Sequence, residues 1–434
     1  MKLLAPAKSP LLVLAAFSFG LLGAVGPDSA LAKKPSVAEA LLSEALQKQD
    51  PAGIRAAVAV AREELGAKAG LPEIADKYVA VPKGARLVSR EEAQRGFSRE
   101  FPALEKRAWW KVGIDPSALK APLREPASVI AGNVAAVRAG LDGAERSLAL
   151  AMEAAEFLMW AQQQAGAGLF PFPAARGPSG ARAMQSATRF LERAEKAGRL
   201  ESVVRNGWAF HDFDDGGLQF DNAECGVAMF ELHALTKDVR HLDSARRAAD
   251  WALSRPLCLN WNYNSFSVYL LARAFAATGE TRYLDAATHK ARLGVIPGQL
   301  TDGPRAGRWV DRHNARPAYH YIMLRALAEL AAVMPAERSE RAEVLRALAL
   351  GLKARNSEMV LQGVMNKDKA IEVLLLLNRV FREDEAFLRD TQSREALQAV
   401  LLLVSAEAAR GKMPLSPGEW GQFLEYIANT TGRP

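Results

Sequence analysis

The apolar positions of this chain fall into two kinds of helical pattern. From about Ser128 onward, segments that are apolar nearly all round alternate with segments carrying one apolar stripe, separated by turns rich in Gly, Asn, Asp and Pro. Cys225, Val227, Met229, Phe230 and Leu232 cover every side of one helix, and Phe266, Val268, Leu270, Leu271 and Phe275 do so in the next. Between them Leu242, Ala245, Ala249 and Ala252 form a single stripe, while Arg240, Asp243, Arg247 and Asp250 face elsewhere. A helix apolar on every side must be buried, and a one-striped helix must lie outside it. The alternation predicts two concentric layers of helices.

An internal repeat agrees with that layering. Thr236-Lys-Asp-Val-Arg240-His-Leu242-Asp243-Ser-Ala245 matches Thr278-Gly-Glu-Thr-Arg282-Tyr-Leu284-Asp285-Ala-Ala287, 42 residues further on. Each copy places a tight turn between an inner helix and an outer one. Period and pairing fit an all-α architecture, a ring or partial ring of helical hairpins known as an α/α toroid. Further pairs are expected at 132–162 with 180–197, 317–334 with 337–353, and 368–382 with 393–410.

The N-terminal part reads differently. Lys2 and Lys8, an apolar run from Leu11 to Val25 and the small-residue pattern Ala30-Leu31-Ala32 make residues 1–32 a secretory signal peptide, too short for a membrane span of about 20 apolar residues. Residues 33–127 are expected to be an N-terminal helical extension, with short helices over 37–47 and 54–65 followed by a Pro- and Lys-broken stretch containing Trp109 and Trp110. Residues 128–434 are then the toroid domain. The mature chain is expected in the periplasm or secreted, with no integral membrane span after signal removal.

Three loops that link one hairpin to the next carry unusual residues. They are Asn206-Gly-Trp208-Ala-Phe-His211-Asp212-Phe-Asp214-Asp215-Gly-Gly, then Asn260-Trp261-Asn262-Tyr263-Asn264, then Arg308-Trp309-Val-Asp311-Arg312-His313-Asn314-Ala-Arg316-Pro-Ala-Tyr319-His320-Tyr321. In a toroid such loops line one rim.

Together with the turn from Thr278 to Ala287, the segment Trp160-Ala-Gln162 running into Gly166-Ala-Gly168-Leu169-Phe170-Pro171 and the Asp215-Gly216-Gly217 loop resemble the six-hairpin α/α-toroid enzymes. That superfamily includes glycoside hydrolases, unsaturated glucuronyl hydrolases and polysaccharide lyases. The resemblance covers roughly residues 130–410. Together with the signal peptide it implies an exported glycan-processing enzyme, a lyase or hydrolase acting on an acidic, uronate-containing polysaccharide or oligosaccharide. The same helical frame equally serves a non-catalytic periplasmic binding or scaffold protein.

Two chemistries are open at the rim. Hydrolysis needs two carboxyls across the glycosidic bond, about 5 to 9.5 Å apart. Asp212, Asp214 and Asp215 are candidates for the acid, because crowding raises the pKa of one member, and Asp221 or Asp311 for its partner. Equally, Asp214-Asp215-Gly-Gly makes an ordinary turn with a helix cap. β-Elimination instead needs a group that neutralises the uronate carboxylate and a Tyr or His that moves the C5 proton. In toroid lyases those roles fall to Asn, His, Tyr and Arg, which this chain offers as Asn262, Asn264, Arg308, His313, Asn314, Arg316, Tyr319 and His320. Against this, Tyr319 and His320 also suit the opening of an inner helix, and the arginines suit pairing with nearby aspartates. Trp208, Phe210, Phe213, Trp261, Tyr263 and Trp309 are candidates for stacking on sugar rings, although core packing explains any single one equally well.

Composition adds three points. A net charge of +7 and a pI near 9.3 suit an acidic glycan as partner better than nucleic acid in an exported protein, although solubility alone also explains them. No nucleotide-binding loop, dinucleotide fingerprint, nucleophile elbow or zinc-peptidase motif occurs, so no cofactor or metal is expected. Finally, Cys225 and Cys258 are the only cysteines. Placed at the start of an inner helix and after its outer partner, they are expected to share one end of the ring, where a disulfide is open to them.

Overall fold

The computed structural model describes residues 36–67, 77–107, 123–165, 168–170, 196, 217–311, 313–411 and 415–431. The signal peptide, Trp109, Trp110, the segment 197–216 and Arg312 lie outside them. Within the described residues the protein is all-α, without strands and with only two isolated bridges, Val79 to Val364 and Gln299 to Trp309. No helix among them is long and apolar enough to cross a membrane.

Six helices form an inner ring, namely α4 (Arg124–Arg138), α6 (Gly217–Thr236), α8 (Trp261–Thr278), α10 (Pro317–Val333), α12 (Lys367–Val380) and α15 (Pro417–Thr431). Each packs on the next, and α15 packs on α4, so the ring is closed. An outer helix covers each one. These are α5 (Ala144–Ala165), α7 (Val239–Ser254), α9 (Thr281–Gly294), α11 (Arg341–Gln362), α14 (Ser393–Ala409) and α3 (Arg90–Arg107), which cover α4, α6, α8, α10, α12 and α15 in that order. This is an α/α toroid. The short α1 (Val37–Gln47) and α2 (Pro51–Ala67) pack on each other, and α13 (Glu385–Asp390) packs on α14.

Burial follows the two sequence patterns. Val268, Leu270, Leu271, Leu324, Leu327 and Leu330 on inner helices are wholly buried, and the outer helix α7 buries Ala245, Ala248, Ala249 and Ala252 along one stripe. The first hairpin differs from expectation. Helix α4 ends at Arg138 and α5 starts at Ala144, because Gly140 and Gly143 take positive φ of 66° and 84° and turn the chain back on itself. The pair is therefore 124–138 with 144–165, and the segment 180–195 expected to supply the partner lies outside the described residues.

The 42-residue repeat has a physical basis. Thr236 and Thr278 each end an inner helix, donating to the carbonyls of Leu232 (2.9 Å) and Ala274 (2.8 Å) and accepting from the N–H groups of Asp238 (3.3 Å) and Glu280 (3.2 Å). Between hydroxyl and acid sits one left-handed residue, Lys237 in the first copy and Gly279 in the second. The acid then holds the arginine two places on, as Asp238 does Arg240 (2.7 Å) and Glu280 does Arg282 (2.9 Å). Gln162, part of the segment that carried the family resemblance, ties α5 to α7, donating to Ser244 O (2.9 Å) and accepting from Ser244 Oγ (2.8 Å).

Candidate active site at the rim of the ring

Neighbouring inner helices meet start to start and end to end, as Arg124 meets Phe220, Ser128 meets Ser416 and Arg138 meets Glu231, so the six run in the same direction. Their N-termini share one rim, and with them the partial positive charges of their unpaired N–H groups. An anion is favoured at that end of the ring over the other.

The second and third sequence loops do meet there. The N–H of Asn262, in the first turn of α8, donates to Asn314 Oδ1 at 3.2 Å. Asn314 in turn donates from its side chain to both oxygens of Asp311 (3.0 Å each) and from its backbone to Oδ1 (2.8 Å). On the α10 side of this junction the His313 ring stacks on Tyr319, with centroids 4.2 Å apart and 26° between planes. The Arg316 guanidinium stands 5.9 Å from the centroid of the same Tyr319 ring. Arg316 is exposed, and His313, Tyr319 and Asp311 are half-buried. A stacked imidazole and phenol, a cation and two amides are thus collected at the mouth of α8 and α10.

Neighbouring first turns add an aromatic wall. Phe220 of α6 stacks on Phe266 of α8 (4.2 Å, 16°), Arg124 of α4 covers Phe220 at 4.3 Å, and Tyr263 lies 6.4 Å from Phe266. Beside them is Asp221, only 1% exposed, with its Oδ1 making no hydrogen bond and Arg124 Nε 3.7 Å away. Burial pushes its carboxyl up to about 6, against the pull of Arg124 and with a contribution from Glu224.

Other candidates hold the fold rather than face the rim. Asn264 is buried, accepting from Cys258 N (2.8 Å) and donating to Cys258 O (2.9 Å) and Gly294 O (2.8 Å). These three bonds fasten the start of α8 to the end of α9. Trp261 is buried against Gly298, where an added Cβ would fall 2.5 Å from the indole. Trp309 is fully buried and donates to Val295 O at 2.9 Å. His320 faces outward, edge-on to Trp309 (5.2 Å, 84°), with Nε2 2.9 Å from Gly351 O on α11. A carbonyl only accepts, so Nε2 carries the hydrogen. Burial, and then the Arg355 charge, hold its pKa well below the histidine range. Arg308 pairs with Glu358 of α11. Trp208, Asp212, Asp214 and Asp215 lie outside the described residues.

The cysteine pairing is corrected. α6 begins two turns before Cys225, which places that residue within the helix rather than at its start. Both thiols are free and buried, Cys225 3.5 Å from Leu123 O and Cys258 accepting from Gln219 Nε2 at 2.6 Å. No group of three His, Cys, Asp or Glu side chains among the described residues is placed to hold a metal ion.

Sequence reasoning missed the interior of the ring. Arg325 of α10 bridges Glu224 of α6 (2.5 Å) and Glu372 of α12 (3.1 Å), and Lys369 joins Glu372 (3.2 Å) to Glu419 of α15 (3.0 Å). Nearer the C-termini, Glu231 of α6 pairs with Arg138 of α4 (2.5 Å) and with Arg273 of α8, whose other nitrogen lies 3.7 Å from Glu329 of α10. Ion pairs thus link all six inner helices across the lumen. The available signal was charged residues spaced by four or seven within otherwise apolar helices: Glu224 and Glu231, Arg325 and Glu329, Glu372 and Arg379. Several of these charged residues, with the middles and C-terminal parts of the inner helices, line an open cavity of about 460 Å³.

No family model and no curated protein matches the chain. Among solved structures it is similar to a polysaccharide lyase, at 12% identity over 79% of this chain and 97% of that one, with a TM-score of 0.47. It is also similar to a glycosyl hydrolase of family 88 from Bacteroides vulgatus, at 11% identity over 80% and 99% of the two chains, with a TM-score of 0.47.

Proposed function

We propose that the protein is an exported glycan-processing enzyme that cleaves an acidic, uronate-containing chain at the rim by β-elimination. The observation that carries this reading is the His313–Tyr319 stack with Arg316 beside the same ring. Elimination needs a base at C5, an acid at the leaving oxygen and charge neutralisation of the C6 carboxylate; in this cluster Tyr319 can serve as base and then acid, and Arg316 supplies the positive charge. In the proposed step the Tyr319 phenolate takes the C5 proton. The electron pair left on C5 forms the C4–C5 double bond, the bond from C4 to the glycosidic oxygen breaks, and the Tyr319 hydroxyl returns the proton to that oxygen. Arg316 and the amide of Asn262 face the carboxylate, where negative charge builds as the proton leaves, and Asn314, bonded to Asp311, holds the Asn262 backbone in place. His313, packed flat on the phenol, fixes the ring. The shared N-terminal rim favours the anionic substrate over a neutral one.

The test is incubation of purified protein with a panel of uronate-containing polysaccharides, following ultraviolet absorbance of an unsaturated uronate and reducing ends in parallel. The expected result is that both rise together. Reducing ends without the ultraviolet band would replace elimination by hydrolysis, and neither signal on any member would replace the enzyme by a binding or scaffold protein.

A further inference from the structure

The 460 Å³ cavity at the far end of the ring is not part of the rim site, and its chemistry is of another kind. Five arginines and four glutamates line it. Most of these are already engaged with one another across the lumen, Arg138, Glu231, Arg273 and Glu329 in one set and Arg325 and Glu372 in another. Such a lining attracts neither a polyanion nor a polycation. One wall is different. The side chains of Asn378 and Arg379 on α12, and of Gln422, Glu425 and Asn429 on the neighbouring α15, make no hydrogen bond or ion pair with any described residue, yet all line the cavity. Glu425 feels the charges of both Arg138 and Arg379 without pairing with either, and burial pushes its carboxyl up. The Tyr426 ring stands next to it on the same wall.

We propose that this cavity binds an uncharged sugar unit, with the α12–α15 wall reading its hydroxyls. A sugar hydroxyl both donates and accepts, so adjacent hydroxyls are matched by a side-chain amide, a carboxylate and a guanidinium that offer paired acceptors or donors. The wall presents all three types with their hydrogen-bonding capacity unspent. The volume falls in the ordinary range of small-ligand sites, roughly 300 to 1,000 Å³, and the nearly balanced charge of the lining, most of it already paired, favours a neutral ligand. The C-terminal ends of six parallel helices meet at this mouth, which further disfavours an anion. This site is distinct from the rim and does not depend on the elimination reading. In a glycan-processing enzyme it would hold a neutral stretch of the glycan; without catalysis it would still bind sugar.

The experiment uses the full mature chain. Saturation-transfer NMR and calorimetric titration are run with cellobiose, maltose and N,N′-diacetylchitobiose as neutral probes and digalacturonate as the anionic one. At least one neutral disaccharide is expected to bind, and Glu425→Ala and Asn378→Ala are each expected to weaken it tenfold or more with an unchanged thermal midpoint. Arg316→Ala at the rim is expected to leave that binding as it was. The proposal is overturned if no neutral disaccharide binds at millimolar concentration, if binding survives both substitutions, or if the digalacturonate signal rather than the neutral one is lost in Glu425→Ala. Since this readout is binding of neutral sugar and not formation of an unsaturated product, its failure leaves the rim reaction standing, and the reverse holds as well.

Discussion

Gly132 and Gly421 lie backbone against backbone where the first inner helix meets the last. A Cβ on Gly421 would sit 2.3 Å from Gly132 O, and one on Gly132 would sit 2.1 Å from Pro417 O. Just above, Ser128 Oγ accepts from Gly418 N (2.9 Å) and meets Ser416 Oγ at 3.1 Å. Residues nearly 300 positions apart thus close the ring through glycines, in a contact that admits no side chain.

Closing the ring this way makes the seam sensitive to a single methyl group. Gly132→Ala and Gly421→Ala are each expected to destabilise the protein by about 1–3 kcal/mol or more, the usual range for overpacking a tight interior, because backbone must move. The denaturant midpoint measures it. An unchanged midpoint in both variants would mean that α4 and α15 are not in this contact.

Asp221 gives the fold a pH dependence of known sign. Its carboxyl is raised from 3.8 to about 6 in the native state, so between those values the native protein holds the proton more tightly than the unfolded chain. Its contribution is fully present below pH 3.8 and is lost as pH rises from there through about 6, on the order of 3 kcal/mol at about 1.4 kcal/mol per unit. Asp221→Asn is expected to remove that slope and to raise the thermal midpoint at pH 8 but not at pH 4. Parallel stability curves for both proteins from pH 4 to 8 would refute it.

The cysteines are expected to remain thiols. Thiol reagent added to the native protein should find neither Cys225 nor Cys258, both at 0% exposure, and after unfolding without reductant it should find two. Labelling of none after unfolding would restore the disulfide.

How much of this was legible in the sequence can be judged from particular residues. The layering was legible because burial on all sides versus one side is a periodic property, visible in Leu270 and Leu271 against Ala245 and Ala249. The turn at Thr236 and Thr278 was legible because its local hydrogen bonds need the same residues in each copy. Closure by α3 and α15 was not, since contacts between residues far apart in the chain leave no period. At the rim, neighbours in sequence parted in space. Tyr319 and His320 are adjacent, yet a helix turns successive side chains by about 100°, from 3.6 residues per turn, so one faces His313 and the other the outer layer. Asn262 and Asn264 separate for the same reason.

This separation has a measurable consequence. His320→Ala removes a buried donor to Gly351 O and an edge contact with Trp309, and is expected to lower stability by about 1–3 kcal/mol, the desolvation penalty of the carbonyl left without its partner. Any loss of turnover should follow the folded fraction. Loss of turnover at unchanged thermal midpoint would place His320 in the chemistry after all.

The most direct measurement is the rate at which Tyr319→Phe generates ultraviolet-absorbing product from the uronate polysaccharide that the wild type degrades, with the thermal midpoint recorded alongside. Removing one hydroxyl from the half-buried ring beneath His313 is expected to leave the midpoint in place and to lower the rate by about 10²-fold or more, the usual loss when a proton-transfer group is deleted. A Tyr319→Phe protein that forms the unsaturated product at the wild-type rate, or a wild type that forms none from any uronate polysaccharide, would contradict elimination at the rim.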